Sequence, residues 1–407
     1  MNDTIQTNSG FFKNVRLETG FDYHEEMITG TRTDLFVIEI ESGLIKAIHA
    51  NDPGIDGIDA KGLLMLPAFK DMHTHLDKSL FGLPWKAIPA KNRTVKDMIA
   101  LEQKIIPGLL ETSVVRSEQL IALLQSYGIS YARSHFNIEP TSGFRSLEHL
   151  QKALEHKKPS FEAELVAFPQ HGIYYTATAP LMQEAAQMDA VQFIGGLDPY
   201  SIDGSIEQPL DFILQLALDN HKGIDIHLHE RGATGIKTIE YLVDKVLENP
   251  ELGGKTYISH AYVLAFLEER EVQRLAERLA AAKIGIATAL PYGNMKMPLP
   301  VLWEKGVHVL VGNDNIQDHW GTLGSGNLLH KANLAAGLYE WETEWELSRL
   351  LKMATNGILP LDDEGQQQWP KPGDKARFVL VPASCSAEAV SRMAPVRSLV
   401  HDGVVVF

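Results

Sequence analysis

Short apolar runs alternate with amphipathic stretches along most of the chain. Eight such runs fall between residues 64 and 314: Leu64–Lys70, Ile129–Asn137, Ala163–Gln170, Val191–Leu197, Gly223–Glu230, Lys255–Tyr262, Lys283–Leu290 and Val307–Asp314. Several are rich in Ile, Val, Phe or Tyr and too apolar for a strand with one wet face. They predict parallel strands covered on both sides. Apolar residues recur at helical spacing in Ser117–Ser126, Leu210–Asn220, Ile239–Leu247, Val272–Ala282 and Pro298–Lys305. Gly128, Gly223 and Gly306 follow three of these stretches, where a left-handed cap favours glycine. The segment 80–110 holds Pro84, Pro89 and Pro107 and reads as a long loop with one short helix. Strand–helix alternation of this kind predicts an α/β fold, a closed (β/α)8 TIM-type barrel.

The two ends differ from the middle. Leu35–Ile40 and Leu44–Ile48 are short alternating stretches with Gly and Asp turns nearby, the pattern of β-hairpins. The pattern returns after Lys371-Pro372-Gly373-Asp374, in Ala376–Val381 and Leu399–Phe407. Neither end is long enough for a stable sheet alone. Residues 1–62 and 360–407 together are therefore expected to form a small β-sandwich domain, with 63–359 as the barrel. A barrel needs about 250 residues, which the 407-residue chain supplies with room for that second unit.

Composition narrows the function. The net charge is −15 and no Lys/Arg run occurs. A phosphate-binding surface would want the opposite sign, so neither nucleic acid nor anionic membrane is expected as a partner. A single cysteine, Cys385, excludes an internal disulfide framework and any cysteine-based zinc site. It also excludes the zinc deaminases built on Pro-Cys-x-x-Cys. The start, Met1-Asn2-Asp3-Thr4, is polar and unlike a signal peptide. No run of about 18 apolar residues occurs. A cytoplasmic chain acting on a small molecule is the expectation, with a homo-oligomer left open.

The polar residues gather where the apolar runs end. The first run leads into Asp71-Met72-His73-Thr74-His75, and the fifth ends His227-Leu228-His229-Glu230. The sixth holds Ser259-His260, and the eighth ends Gly312-Asn313-Asp314. In a barrel these ends meet at one mouth. His73 and His75 are two apart and point to one side of a strand. With His227 and Asp314 they make an N/O donor set suited to one divalent ion: zinc, with iron or manganese fitting nearly as well. Such an ion lowers the pKa of a bound water toward neutrality and makes it a nucleophile. Glu230 is set to move a proton from water to a leaving nitrogen. His260 can hydrogen-bond the nucleophile or oppose developing charge. His135 and His229 are balanced between pocket lining and structural hydrogen bonding. Asp77 and Lys78 read as a structural ion pair or cap. Gln170 can donate and accept, which suits a ring edge with N–H beside C=O.

Pro67-Ala68-Phe69-Lys70-Asp71-Met72-His73-Thr74-His75-Leu76-Asp77-Lys78 resembles the strand-one signature of the amidohydrolase superfamily. The branch it resembles holds cytosine deaminase and the isopropylammelide amidohydrolases. Ala167-Phe168-Pro169-Gln170 is similar to the segment whose Gln binds the pyrimidine. His227-x-x-Glu230 resembles the strand-five metal His and catalytic Glu, and Ser259-His260 the strand-six His. Gly312-Asn313-Asp314-Asn315 and Asp318-His319-Trp320 resemble the strand-eight segment with its ligand Asp and a Trp near the substrate. The resemblance spans essentially the whole chain. It implies His73, His75, His227 and Asp314 as ligands of one ion, and Glu230, His260 and Asp314 as the catalytic set. Gln170, His229, Asn315 and Trp320 are implied to line the substrate pocket. A bridging Lys, as in two-metal relatives, is not visible at the ends of strands three and four. Cytosine deaminases usually carry an acid at His229 and a second Asp at Asn315, so cytosine itself is not implied. The resemblance implies a metal-dependent hydrolytic deaminase acting on an exocyclic amine or N-alkylamine of a small N-heterocycle, a cytosine-like pyrimidine or a triazine. A cyclic amide hydrolase and a non-catalytic metal-containing binding protein are the alternatives.

Overall fold

The computed structural model describes residues 8–87, 94–291 and 293–407. The first residues of the chain, and Pro89 within the segment 80–110, lie outside them.

Five strands come first: β1 (Gly10–His24), β2 (Met27–Glu41), β3 (Leu44–Ala50), β4 (Ile58–Asp59) and β5 (Leu64–Pro67). Eight more follow, separated by helices: β6 (Phe69–Thr74), β7 (Ile129–Asn137), β8 (Glu162–Phe168), β9 (Phe193–Leu197), β10 (Gly223–His227), β11 (Thr256–Ser259), β12 (Ile284–Thr288) and β13 (Val309–Val311). The chain closes with β14 (Phe378–Val381), β15 (Ser398–His401) and β16 (Val404–Val405). Strands β6 to β13 pair in sequence order, all parallel. A parallel bridge between Thr74 and Asp314 joins the last to the first and nearly closes the barrel.

The helices between strands bury the faces their spacing predicts. In Glu269–Ala281 the buried residues are Val272, Leu275, Ala276 and Leu279, one stripe at helical period. Segment 80–110 is the exception. It holds a 16-residue helix, Val95–Leu110, with Pro107 inside its last turn. Thr94 and Asp97 form a capping box that starts this helix. Pro107 is tolerated because the carbonyl it leaves without a partner belongs to the exposed Gln103. Gly128 and Gly306 have positive φ, as cap glycines should. Gly223 does not: His221 takes the left-handed conformation instead, and Gly223 sits in β10. A Cβ there would meet the Phe193 ring at 2.4 Å and the Lys255 carbonyl at 2.8 Å.

The run Leu64–Lys70 is not one strand. Pro67 has no N–H to continue a ladder, and the chain changes partners at that point. Ala68 N–H donates to the Arg377 carbonyl, and Phe69 N–H to the Gly128 carbonyl. Leu64–Pro67 therefore pairs antiparallel with β14 in the sheet built from the chain ends. That sheet is a single one of eight strands, where a small sandwich was the expectation. It curls enough for Phe12 on β1 to meet Phe378 on β14 edge to face, with ring centroids 5.2 Å apart. Leu64, Leu66, Val379 and Val381 face the barrel core, while Met65, Phe378 and Leu380 face the sheet's own core. Alternation across the pleat thus buries every one of them. Arg377 adds a polar tie, pairing with Asp402 in the end sheet and with Glu162 at the start of β8.

Inside the barrel, Met72, Val166, Phe193, Tyr257, Ala287 and Leu310 pack as an apolar layer, as filled barrels do. The Arg133 guanidinium lies between the Phe193 and Tyr257 rings, 4.0 and 4.2 Å from their centroids. It pairs with Glu164 and with the fully buried Asp225. Among the described residues no helix is long and apolar enough to cross a membrane.

Candidate metal centre and its pocket

The barrel geometry brings the four expected ligands together. His73 and His75 come from the end of β6, and His227 is the last residue of β10. Asp314 follows β13 with a φ of 61° and donates its N–H to the His73 carbonyl at 2.7 Å. Gly312 makes this approach possible: any Cβ there would stand 2.4 Å from the His73 backbone. Asp314 Oδ1 lies 3.3 Å from Nε2 of both His73 and His75. One ligand atom from each of the four lies within 4.8 Å of all the others.

Several of these atoms lack a partner. His73 Nε2 and both nitrogens of His227 are buried without a hydrogen bond. Leaving such atoms unpaired costs roughly 1–3 kcal/mol each, so an electrophile in their midst is what the arrangement fits. Tetrahedral zinc with ligands at about 2.0–2.1 Å would space them roughly 3.3 Å apart, the spacing found between Asp314 and the two imidazoles. Burial holds His75 and His227 well below the usual imidazole pKa, helped by Lys78 and opposed by Asp314 at His75, and helped by the surrounding imidazoles at His227. They are neutral, as ligation requires.

The tautomer of His73 follows from its neighbours. Ser259 donates its hydroxyl hydrogen to Asp225 Oδ1. Its oxygen is then free to accept Nδ1–H of His73, 2.9 Å away, which leaves Nε2 with its lone pair facing the cluster. In the sequence Ser259 stands out only as the neighbour of His260, and Asp225 does not stand out at all. Ser259→Ala is expected to weaken metal affinity about 10- to 100-fold, measured by competition with a chromophoric chelator. His135 is fully buried beneath this layer, with its ring centroid 4.4 Å from that of His73. It does not line the mouth. With His73 and Asp225 it forms a second group of close ligand-type atoms.

Glu230 stands on the turn after β10 and is buried. Its Oε1 accepts the Ser201 N–H at 2.7 Å, and its Oε2 has no partner. Asp198, in a left-handed conformation at φ 36°, organises the same turn. Its Oδ1 accepts N–H of His229 and of Glu230, and its Oδ2 takes His229 Nδ1–H at 2.8 Å. The strand ends at His227, so the parity that would align His229 with it does not reach that far. His229 stacks instead on His260, with centroids 4.5 Å and planes 26° apart. His260 lies 4.9 Å from the His73 ring and 5.0 Å from that of His227. It adopts φ 71°, a conformation a side chain tolerates only where its surroundings enforce it.

On the other side of the mouth, Lys78 Nζ donates to Gln170 Oε1 at 2.6 Å, both residues buried. The ammonium also lies 5.4 Å from the Trp320 ring centre. Of the two readings of Asp77 and Lys78, an ion pair or a cap, Asp77 takes the second: it accepts the Asn137 N–H at 2.8 Å, and burial pushes its carboxyl up to about 6. A lysine can only donate, so it fixes the Gln170 amide with its oxygen toward Lys78, taking one of that oxygen's two lone pairs. Asn315 is half-buried with Oδ1 unpartnered. Trp320 donates its indole N–H to Glu102, a residue sequence reading did not single out. A signal existed. Ile99, Glu102, Ile106 and Leu110 fall on one helical stripe, where a carboxylate is out of place unless it has partners.

Residues 181–407 match the amidohydrolase family. The chain is 48% identical over 403 residues to the uncharacterized protein YahJ of Escherichia coli (strain K12), covering 98% of this chain and 87% of that one. It is 26% identical over 307 residues to the N-isopropylammelide isopropyl amidohydrolase of Pseudomonas sp. (strain ADP), covering 74% and 75%. Among solved structures it resembles N-isopropylammelide isopropylaminohydrolase from Burkholderia multivorans ATCC 17616, with a TM-score of 0.84, 28% identity and 98% of each chain covered.

Proposed function

The chain belongs to the amidohydrolase family and is a hydrolase of carbon–nitrogen bonds; from that premise we propose that it is a metal-dependent deaminase of a small N-heterocycle. In this reading His73, His75, His227 and Asp314 hold one divalent ion, zinc or iron, with manganese as the third choice. When bound, such an ion supplies a Lewis acid and lowers the pKa of water at the site. The remaining work falls to the chain. Glu230 Oε2 takes a proton from the attacking water and later delivers it to the exocyclic nitrogen, which leaves as ammonia or an alkylamine. His260 opposes the charge that develops on the heteroatoms of the tetrahedral intermediate. His229, Asn315, Gln170 and Trp320 surround the ring.

The observation that carries this reading is the unpartnered, buried Oε2 of Glu230, three residues beyond the ligand His227. A closed structural metal site has no use for a free carboxylate at its side. A second observation bears on the ring. Lys78 takes one of the two lone pairs of Gln170 Oε1 and adds ammonium donors beside the amide, so this edge is richer in donors than a free amide. Such an edge favours adjacent acceptors, as in an oxo- or dioxo-triazine, over a cytosine edge.

The test is a panel of amino-pyrimidines, amino- and N-alkylamino-triazines and pterins, read by release of ammonia or alkylamine from metal-loaded protein. Oxo-triazines are expected to give the highest kcat/KM. A ring-opened product without amine release would favour the cyclic amide hydrolase. Absence of turnover across the panel would favour a binding protein.

A further inference from the structure

Helix Val95–Leu110 carries one fully buried charge, Glu102, that the chemistry above does not use. Its carboxylate takes four donors. Oε1 accepts from Asn137 Nδ2 at 3.0 Å, His319 Nε2 at 2.9 Å and Trp320 Nε1 at 3.3 Å. Oε2 accepts from His171 Nε2 at 3.0 Å. These donors come from the end of β7 and from the loops after β8 and β13, three separate parts of the barrel mouth. His171 follows Gln170 directly in the chain, and Trp320 is itself a wall of the pocket. Lys78 joins the two, holding Gln170 Oε1 while its ammonium faces the Trp320 ring. Burial works against charge on His171, but Glu102 and Glu139 outweigh it and raise the ring to about 9. The His171 contact is therefore charge-assisted and strong in this dry setting.

We propose that Glu102 is a positioning residue that sets the width of the substrate pocket, holding Trp320 and Gln170 at a fixed separation without touching the substrate. This rests on the reading of those two residues as pocket walls. A carboxylate can take all four donors, whereas an amide offers one oxygen and turns an N–H2 toward the rest. Glu102→Gln therefore frees at least one wall. The half-buried indole is the least anchored of the four, since its bond is the longest.

The experiment compares Glu102→Gln, Trp320→Phe and the double variant in the metal-loaded protein. With the best heterocycle of the panel, KM should rise about tenfold or more in each single variant, with kcat within about threefold of wild type and metal content unchanged. The double variant should be no worse than the more impaired single, since both disturb the same Glu102–Trp320 link. Independently of any substrate, the indole N–H resonance that Trp320→Phe removes should shift in Glu102→Gln. That readout separates the two ideas: a shifted resonance with no turnover of any heterocycle would sink the functional reading but not the link. An unmoved resonance, a KM unchanged in Trp320→Phe, or additive losses in the double variant would overturn the proposal. Trp320→Phe leaves the other three Glu102 contacts in place, so it remains informative if Glu102→Gln folds poorly.

Discussion

Replacing Glu230 by glutamine is expected to lower turnover by roughly 10² or more while metal content stays at the wild-type level. The amide matches the carboxylate in size. Its oxygen can still accept the Ser201 N–H that Oε1 accepts now, and Asp198 still holds the turn through the Glu230 backbone. What is lost is the basic Oε2, the atom with no other partner. Amine release under saturating substrate, with elemental analysis of the same preparation, separates the outcomes. Full activity would remove Glu230 from the proton path. Loss of metal would instead make it part of the ion's cradle.

The second large effect is on the ion itself. His73→Ala should reduce bound metal to near zero and abolish amine release. His73 is central to the cluster: its Nε2 faces Asp314, its Nδ1 is oriented by Ser259, and its carbonyl anchors the Asp314 backbone. The alanine variant keeps the backbone contact and loses only the ring. Stability gives a further readout. A ligand at about 1,000 times its Kd adds roughly 4 kcal/mol to folding. Chelation should therefore lower the wild-type Tm by several degrees and leave the Tm of the variant unmoved. Unchanged metal in His73→Ala would reject His73 as a ligand.

The strand pattern was readable because buried parallel strands are apolar throughout. The clustering of His73, His75, His227 and Asp314 was readable because strand ends meet at one mouth. What escaped depended on partners distant in sequence. Lys78 and Gln170 are 92 residues apart, and nothing local tells a lysine whether it will meet Asp77 or an amide. Glu102 reaches Trp320 across 218 residues. Asp198 adopts a left-handed conformation that its residue type tolerates but does not announce. The split of Leu64–Lys70 at Pro67 was foreseeable from proline chemistry. The destination of its first half was not, since alternation gives the faces of a strand and not its neighbours. The same gap separates the expected sandwich from the single end sheet.

The most direct test of the central claim is the dependence of amine release on bound metal. The protein is stripped with a chelator, then reloaded stepwise with zinc or iron, and amine release from an oxo-triazine is followed against ions bound per chain. Activity is expected to rise linearly and to stop at about one ion per chain. Activity that survives stripping, or that needs a second ion, would contradict it.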